Sequence, residues 1–255
     1  MKPIIRQRRE KILDEIFSKA DISVPELAQL VGTSEATVRR DLHLLAEEDK
    51  ILLSHGSVAL KKISDFSFQA KAKRNVEAKK VIGRLATALI GDQDHVFLGS
   101  GSTCYEMAPF LKRKVGLSLI TNSSRLAMAL NDASVNVILI GGRYRPDRMD
   151  TVGDLAQAAL DQLRGYKALI SVDGVSMDFG LSAADIEGAH LYRLAARNAK
   201  EVILPIDHTK FQAPSLCKIV DWDVISTVVT DQEPLPAWTA FFKKRGIRLV
   251  YPGSP

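Results

Sequence analysis

Apolar positions recur at helical spacing over the first sixty residues and change, beyond residue 80, to short strand-length runs separated by amphipathic stretches. In the opening part Ile12, Leu13, Ile16 and Phe17 mark one side of a helix over about 6–19. Ser23 and Glu26 have the spacing of a reciprocal cap, and Pro25 falls in the first turn, where a missing N–H does no harm, so a second helix begins near Val24. Leu27, Leu30 and Val31 define its buried face, and Gly32 ends it in the left-handed conformation. Ser34 caps a third helix whose Val38, Leu42 and Leu45 point into the same small core, leaving Thr37, Arg39, Arg40 and His43 to face elsewhere. Apolar runs at 51–53 and 58–60 then flank His55, Gly56 and Ser57, the pattern of a hairpin with glycine at its tip.

Three helices and a hairpin in that order make a winged helix-turn-helix, and the partner it implies is double-stranded DNA. The leading end of the third helix is the part that enters the major groove, where arginine bonds to guanine and hydroxyls reach bases or phosphates. Ser34, Glu35, Thr37 and Arg39 are therefore expected in the groove, with Arg40 clamping phosphate and His55, on the wing, touching phosphate or minor groove. Asp41 is expected to hold one of the arginines in place, and Arg6, Arg8 and Arg9 to reach phosphates from the first helix.

In the second part strands are expected at 95–98, 117–121, 136–140, 168–172, 202–206, 224–229 and 248–251, and helices at 81–90, 103–112, 124–130, 154–163, 186–198 and 237–244. The alternation predicts an α/β domain, Rossmann-like, with helices on both faces of the sheet. Glycine and polar residues cluster where the strands end. Gly99, Ser100, Gly101, Ser102 and Thr103 follow the first strand, Asn122 the second, Gly141 and Gly142 the third, Asp173 and Gly174 the fourth, and Asp207 and Lys210 the fifth. Carboxyl ends of parallel strands form a binding crevice, so these groups are expected to surround one anionic ligand, with the 99–103 loop cradling a phosphate. Dinucleotide chemistry does not fit, because Cys104 stands where the last glycine of G-x-G-x-x-G belongs and 120–122 holds no ribose-binding acid. A phosphate-binding Gly-Lys-Ser/Thr motif and a G-x-S-x-G elbow are both absent from the sequence.

Charge adds a bias rather than an identity. Residues 1–80 hold 16 Lys+Arg against 12 Asp+Glu, an excess of 4, which leaves 19 against 18 for the rest of the 255 residues. The basic excess belongs to the head and to the lysine-rich stretch 61–80, which reads as a linker or a solvated connecting helix. The domain limits expected are 1–62, a linker at 63–80, and 81–255. Two cysteines, Cys104 and Cys217, lack metal spacing and a reason to pair, so a reducing cytoplasm with no metal and no cofactor is expected. No stretch reaches the length of a membrane span.

The chain resembles the DeoR family of bacterial transcriptional regulators. The resemblance lies in Glu26, Leu27, Ala28 followed by S-x-x-T-V-R-R-D-L over Ser34 to Leu42, and in a wing whose H-G-G is altered by Ser57. It continues in G-S-T at 101–103, T-N-S at 121–123, G-G-x-Y-R at 141–145, Asp173 with Gly174, and D-x-T-K-F over Asp207 to Phe211. The resemblance implies a sensor related in fold to ribose-5-phosphate isomerase, binding a phosphorylated sugar, on a repressor of a carbohydrate catabolic operon that acts as a homodimer or homotetramer. An enzyme of the sugar-phosphate isomerase or deaminase kind, with Asp173 or Asp207 as base and Lys210 as stabiliser, is the alternative. Ser176 and Met177 stand where the isomerases place a second acid, so no catalytic residue is assigned.

Overall fold

The computed structural model describes residues 8–9, 11–13, 15–16, 22–47, 51–54, 57–59, 68–211 and 213–254. The chain divides into two compact units, 1–70 and 71–255.

In the first unit, helical positions at 8–9, 11–13 and 15–16 bury Ile12 and Ile16 against the helices Val24–Val31 and Glu35–Glu47. Ser23 starts the second helix as its spacing demands. Its Oγ accepts from Glu26 N–H, and the Glu26 carboxylate accepts from Ser23 N–H at 3.0 Å. Gly32 ends that helix at φ 74°. Leu27, Val38, Leu42 and Leu45 are all buried, but Leu30 is 38% exposed and Ala28 takes the place expected for it, since i, i+1 and i+4 face inward on so short a helix. Strands β1 (Leu52–Ser54) and β2 (Ser57–Ala59) pair antiparallel as the wing, and His55 lies outside the described residues.

The second unit is built on seven parallel strands: β3 (His95–Leu98), β4 (Ser118–Thr121), β5 (Asn136–Leu139), β8 (Lys167–Leu169), β11 (Glu201–Pro205), β13 (Thr227–Val229) and β14 (Arg248–Val250). Their order is β14-β13-β11-β8-β3-β4-β5. Alternate residues feed two cores: Val96 and Leu98 lie in one, Phe97 in the other, and on β11 Ile203 opposes Val202 and Leu204. That is the period of a strand covered on both faces, and it explains why the runs read as continuously apolar. Two smaller sheets complete the unit: the hairpin of β6 (Arg143–Arg145) and β7 (Asp150–Val152), and β9 (Gly174–Ser176), β10 (Gly180–Ala183) and β12 (Cys217–Val220) paired antiparallel.

Two local readings need correction. The helix expected over 103–112 is broken into Ser102–Tyr105 and Ala108–Leu111, because Pro109 has no N–H to give and its ring crowds the carbonyl four residues back. The lysine-rich stretch is a connecting helix over its described part, Phe68–Lys73 followed by Val76–Ala88, but not a wholly solvated one. Within it Lys79 is only 4% exposed. The order of strands reverses at β3: the chain proceeds outward through β4 and β5, then returns to β8 on the other side. The loops after β3 and β8 therefore flank the point where a crevice opens at the carboxyl edge.

Candidate functional site

At the head, Ser34 caps the third helix: its Oγ accepts from Thr37 N–H at 3.3 Å and lies 2.9 Å from Thr37 Oγ1. Glu35, Arg39 and Arg40 are exposed. Arg39 donates to Glu35 at 3.2 Å across one helical turn. Such an exposed pair is worth less than about 1 kcal/mol, so either group exchanges readily for a base or phosphate. Asp41 does not hold Arg39 or Arg40. It is buried, and it accepts from Arg8 Nε at 2.6 Å and Arg9 Nε at 3.2 Å, which turns those two arginines from phosphate contacts into a brace between the first and third helices. Beside Asp41 the Arg8 guanidinium has its pKa raised.

At the carboxyl edge of the sheet, Gly99 N–H donates to Leu169 O and joins the two loops at the reversal point. A Cβ on Gly101 would fall 1.8 Å from Ser171 Oγ, so only glycine fits between them. Ser100 is engaged more fully than a phosphate cradle needs. Its N–H donates to Tyr192 Oη at 2.9 Å and its hydroxyl donates to Asp150 Oδ2 at 2.8 Å. Asp150 in turn accepts two bonds from Arg145, at 2.8 and 2.7 Å, and Arg145 reaches Asp185 at 2.8 Å. Burial works against the Arg145 charge, but Asp150 and then Asp185 outweigh it and raise its pKa further. Asp185 also binds Arg148 and caps the helix Ile186–Asn198 through Gly188 N–H. Burial opposes its charge too, but that N–H and the two arginines hold its pKa below the usual range. Asn122 is buried beside this network. Its Nδ2 donates to Thr151 O at 3.0 Å, while its Oδ1 accepts no bond among the described residues.

A second group of side chains meets around the ends of β8 and β11. Asp173 accepts from Ala184 N–H on one oxygen and from Lys71 on the other. Asp207, 1% exposed, accepts from Thr209 N–H, Thr209 Oγ1 and, at 3.1 Å, Asn75 Nδ2. Burial lowers the Lys71 pKa; Asp173 opposes the shift, while Arg148 and Lys210 add to it, so cations from three distant segments crowd one place. Among the described residues Lys210 has no carboxylate partner.

Lys79 lies at the floor of this group and donates to the carbonyls of Lys71 and Arg74. Burial lowers its pKa to about 8, against the pull of Asp207 and with the help of Lys210. The unfolded chain keeps that proton up to the ordinary value of 10.5, so the folded state gains stability as pH climbs from about 8 toward 10.5. Lys79→Met, which cannot charge, is expected to lack that part of the pH dependence. Denaturant unfolding of both proteins from about pH 7 to about pH 11 measures it, and parallel curves would refute the assignment.

Comparison with known families settles the class. Residues 8–64 match the family described as DeoR-like helix-turn-helix domain, and residues 74–232 match the DeoR C terminal sensor domain. The chain belongs to the DeoR family. The lactose phosphotransferase system repressor of Lactococcus lactis subsp. lactis is 32% identical over 91% of this chain and 92% of that protein. The transcriptional repressor GlcR of Bacillus subtilis is 30% identical over 96% and 95%. The putative aga operon transcriptional repressor of Escherichia coli O157:H7 is 27% identical over 97% and 94%. Ribose 5-phosphate isomerase A of Methanocaldococcus jannaschii is a remote structural likeness, with TM-score 0.39 and 18% identity over 54% of this chain and 55% of that one. The chain is thus a DeoR-family transcriptional regulator and not an enzyme.

For this DeoR protein the structure sorts the residues singled out from sequence. Asp173, Asp207 and Lys210 gather around Lys71 and Lys79, while Ser100 joins the Arg145 network and Asn122 lies beside it, bonded to Thr151. Ser102 and Thr103 are buried in a single turn of helix. Gly142, at φ 148°, packs so tightly on Val152 and Ala156 that its glycine is demanded by the fold, and Gly174 lies equally close to Ala213 O, whereas Gly141 is exposed with open space beside it. Sequence reasoning missed Lys71, Asn75, Arg148, Asp150, Asp185 and Tyr192. Among the described residues no three His, Cys, Asp or Glu are placed to hold a metal ion, and no helix is long and apolar enough to cross a membrane. Cys104, fully buried behind the 99–103 loop, has its thiol pushed up to about 12 by burial.

Proposed function

We propose that this regulator represses a carbohydrate catabolic operon from the cytoplasm, and that a phosphorylated sugar bound at the carboxyl edge of the sheet controls its hold on operator DNA. The observation that carries the reading is the convergence of Lys71, Arg148 and Lys210 beside Asp173 and Asp207 at the reversal point. Lys71 and Arg148 have carboxylate partners, but among the described residues Lys210 has none, so an anion would offset its charge, and the carboxylates beside it suit sugar hydroxyls. Asn122 and the 99–103 loop extend the same edge and complete the contacts assigned to the sugar and its phosphate. Relatives named for the lactose phosphotransferase system and the aga operon point to the same kind of gene target.

Operator contacts are assigned to Ser34, Glu35, Thr37, Arg39 and Arg40, with His55 on the wing. Their placement on the exposed leading turns of Glu35–Glu47 supports this. Two-fold operators call for paired heads, so a homodimer or homotetramer is proposed. The edge strand β5 supports it, since Ile138 and Leu139 are exposed, no charge or proline guards the strand, and self-pairing would cover it. A monomer in sedimentation would refute that part.

Thermal-shift screening of ribose 5-phosphate, glucose 6-phosphate, fructose 1-phosphate and fructose 6-phosphate tests the ligand. A true effector at 100 times its dissociation constant is expected to stabilise the protein by about 2.7 kcal/mol. Lys210→Ala is expected to abolish that shift and the effector's action on DNA while leaving DNA binding intact. An undiminished response places Lys210 outside the site.

A further inference from the structure

Asn75 occupies the position where a helix of thirteen residues, Val76–Ala88, should be capped, yet its side chain makes no capping bond. Asparagine is among the best residues for that task, so its diversion breaks a local rule. Its backbone is left-handed at φ 53°, and its Nδ2 donates to Asp207 Oδ1 at 3.1 Å and Thr209 Oγ1 at 3.2 Å. Four residues earlier, Lys71 donates to Asp173. The carbonyls of Lys71 and Arg74, at the end of the helix Phe68–Lys73, are held in turn by Lys79. The stretch 71–79 is therefore fastened to the groups around the sensor edge at Lys71 and Asn75, and to itself through Lys79. It also opens the second unit, directly after the first ends at Ala70.

We propose that Lys71 and Asn75 are positioning residues that convert occupation of this edge into a change in DNA affinity. The inference rests on the proposed sugar-phosphate site. A sugar's hydroxyls compete for the Asp173 and Asp207 carboxylates, and its phosphoryl group competes for the Lys71 ammonium. The ligand thereby takes the partners that fix the turn at 73–76, and the fastened arrangement belongs to the ligand-free, DNA-binding state. A ligand shifts such an equilibrium only through contacts that differ between its two states, and these bonds supply the difference.

The ligand-free arm of the test needs no effector. Asn75→Gly keeps the left-handed turn and removes both bonds, and Asn75→Asp sets a like charge against Asp207. Full-length variants are titrated onto the DNA fragment upstream of the protein's own reading frame and onto scrambled DNA. Both are expected to bind the specific fragment roughly tenfold more weakly than the parent, with scrambled binding unchanged. In the second arm the four sugar phosphates named above are added. The parent is expected to lose affinity with one of them, and Asn75→Gly to bind that compound within about threefold of the parent while showing little further loss. Circular dichroism and thermal unfolding establish that the variants are folded. Lys71→Met, which keeps the aliphatic stem, replaces any variant that is not, in the ligand-free arm alone, because the effector's phosphoryl group is assigned to the ammonium it removes. Parent-like DNA affinity without ligand, or a parent-like drop with it, overturns the relay. A parent that responds to none of the four counts against the sugar-phosphate site, and the ligand-free arm then decides the relay by itself.

Discussion

Arg145→Met is expected to lower the stability of the second unit by about 3–5 kcal/mol, among the largest effects of any single change at the sensor edge. Methionine fills the space of the aliphatic stem but leaves Asp150, whose side chain is 3% exposed, without the two bonds that balance its charge. Asp185 loses one of its two arginines and keeps Arg148. The damage is uneven. Ser100 hangs from Asp150, so the loop after β3 should loosen along with the β6–β7 hairpin. Denaturant unfolding followed by tryptophan emission suits the measurement, because Trp222 and Trp238 both lie in this unit. A loss below about 1 kcal/mol would show that water or relaxation replaces the guanidinium, and that the network is not what secures the loop. Pairing Arg145→Met with Asp150→Asn separates the charge from the contact, since removing both partners should cost less than the sum of the two alone.

Asp41→Asn is expected to destabilise the head by about 2–3 kcal/mol and to weaken DNA binding with it. The amide keeps the size of the side chain but surrenders the charge, and an oxygen and an NH2 group cannot both accept from the Arg8 and Arg9 Nε–H groups. Those bonds tie the first helix to the third, whose leading turns are assigned to the groove. Proteolysis of the head and calorimetry of the intact protein distinguish a loosened head from a lost contact. If Asp41→Asn melts like the parent yet binds DNA poorly, Asp41 acts at the interface and not as a brace. Arg39→Ala supplies the contrast, because among the described residues its ion pair is the weak surface one with Glu35 and its loss should leave melting unchanged.

The parallel sheet was legible because its strands are apolar runs, most of them feeding both cores. The small antiparallel strands were not. β6, β7 and β9 are three residues long and carry arginine, aspartate, glycine or serine, so they resemble loops until their partners are known. Leu30 shows the limit of periodicity on an eight-residue helix, where one turn decides which of two neighbours faces inward. Strand ends singled out Asp173, Asp207 and Lys210, which the fold brings near Lys71 and Lys79. Arg145 stood in a recognised G-G-x-Y-R pattern with no role assigned, because its partners lie 5 and 40 residues away and only folding unites them. Lys71 and Lys79 were hidden for another reason: a lysine in a basic run is ordinarily solvated, and nothing local tells the buried one from the rest.

Cys104 has a practical consequence. A thiol sealed in the core against the sheet, with its ionisation pushed to about 12, presents almost no nucleophile at neutral pH, so oxidants and alkylating reagents should bypass it in the native protein. Its labelling rate then becomes a clock for excursions that breach the sensor interior, and that clock would slow when an effector is bound.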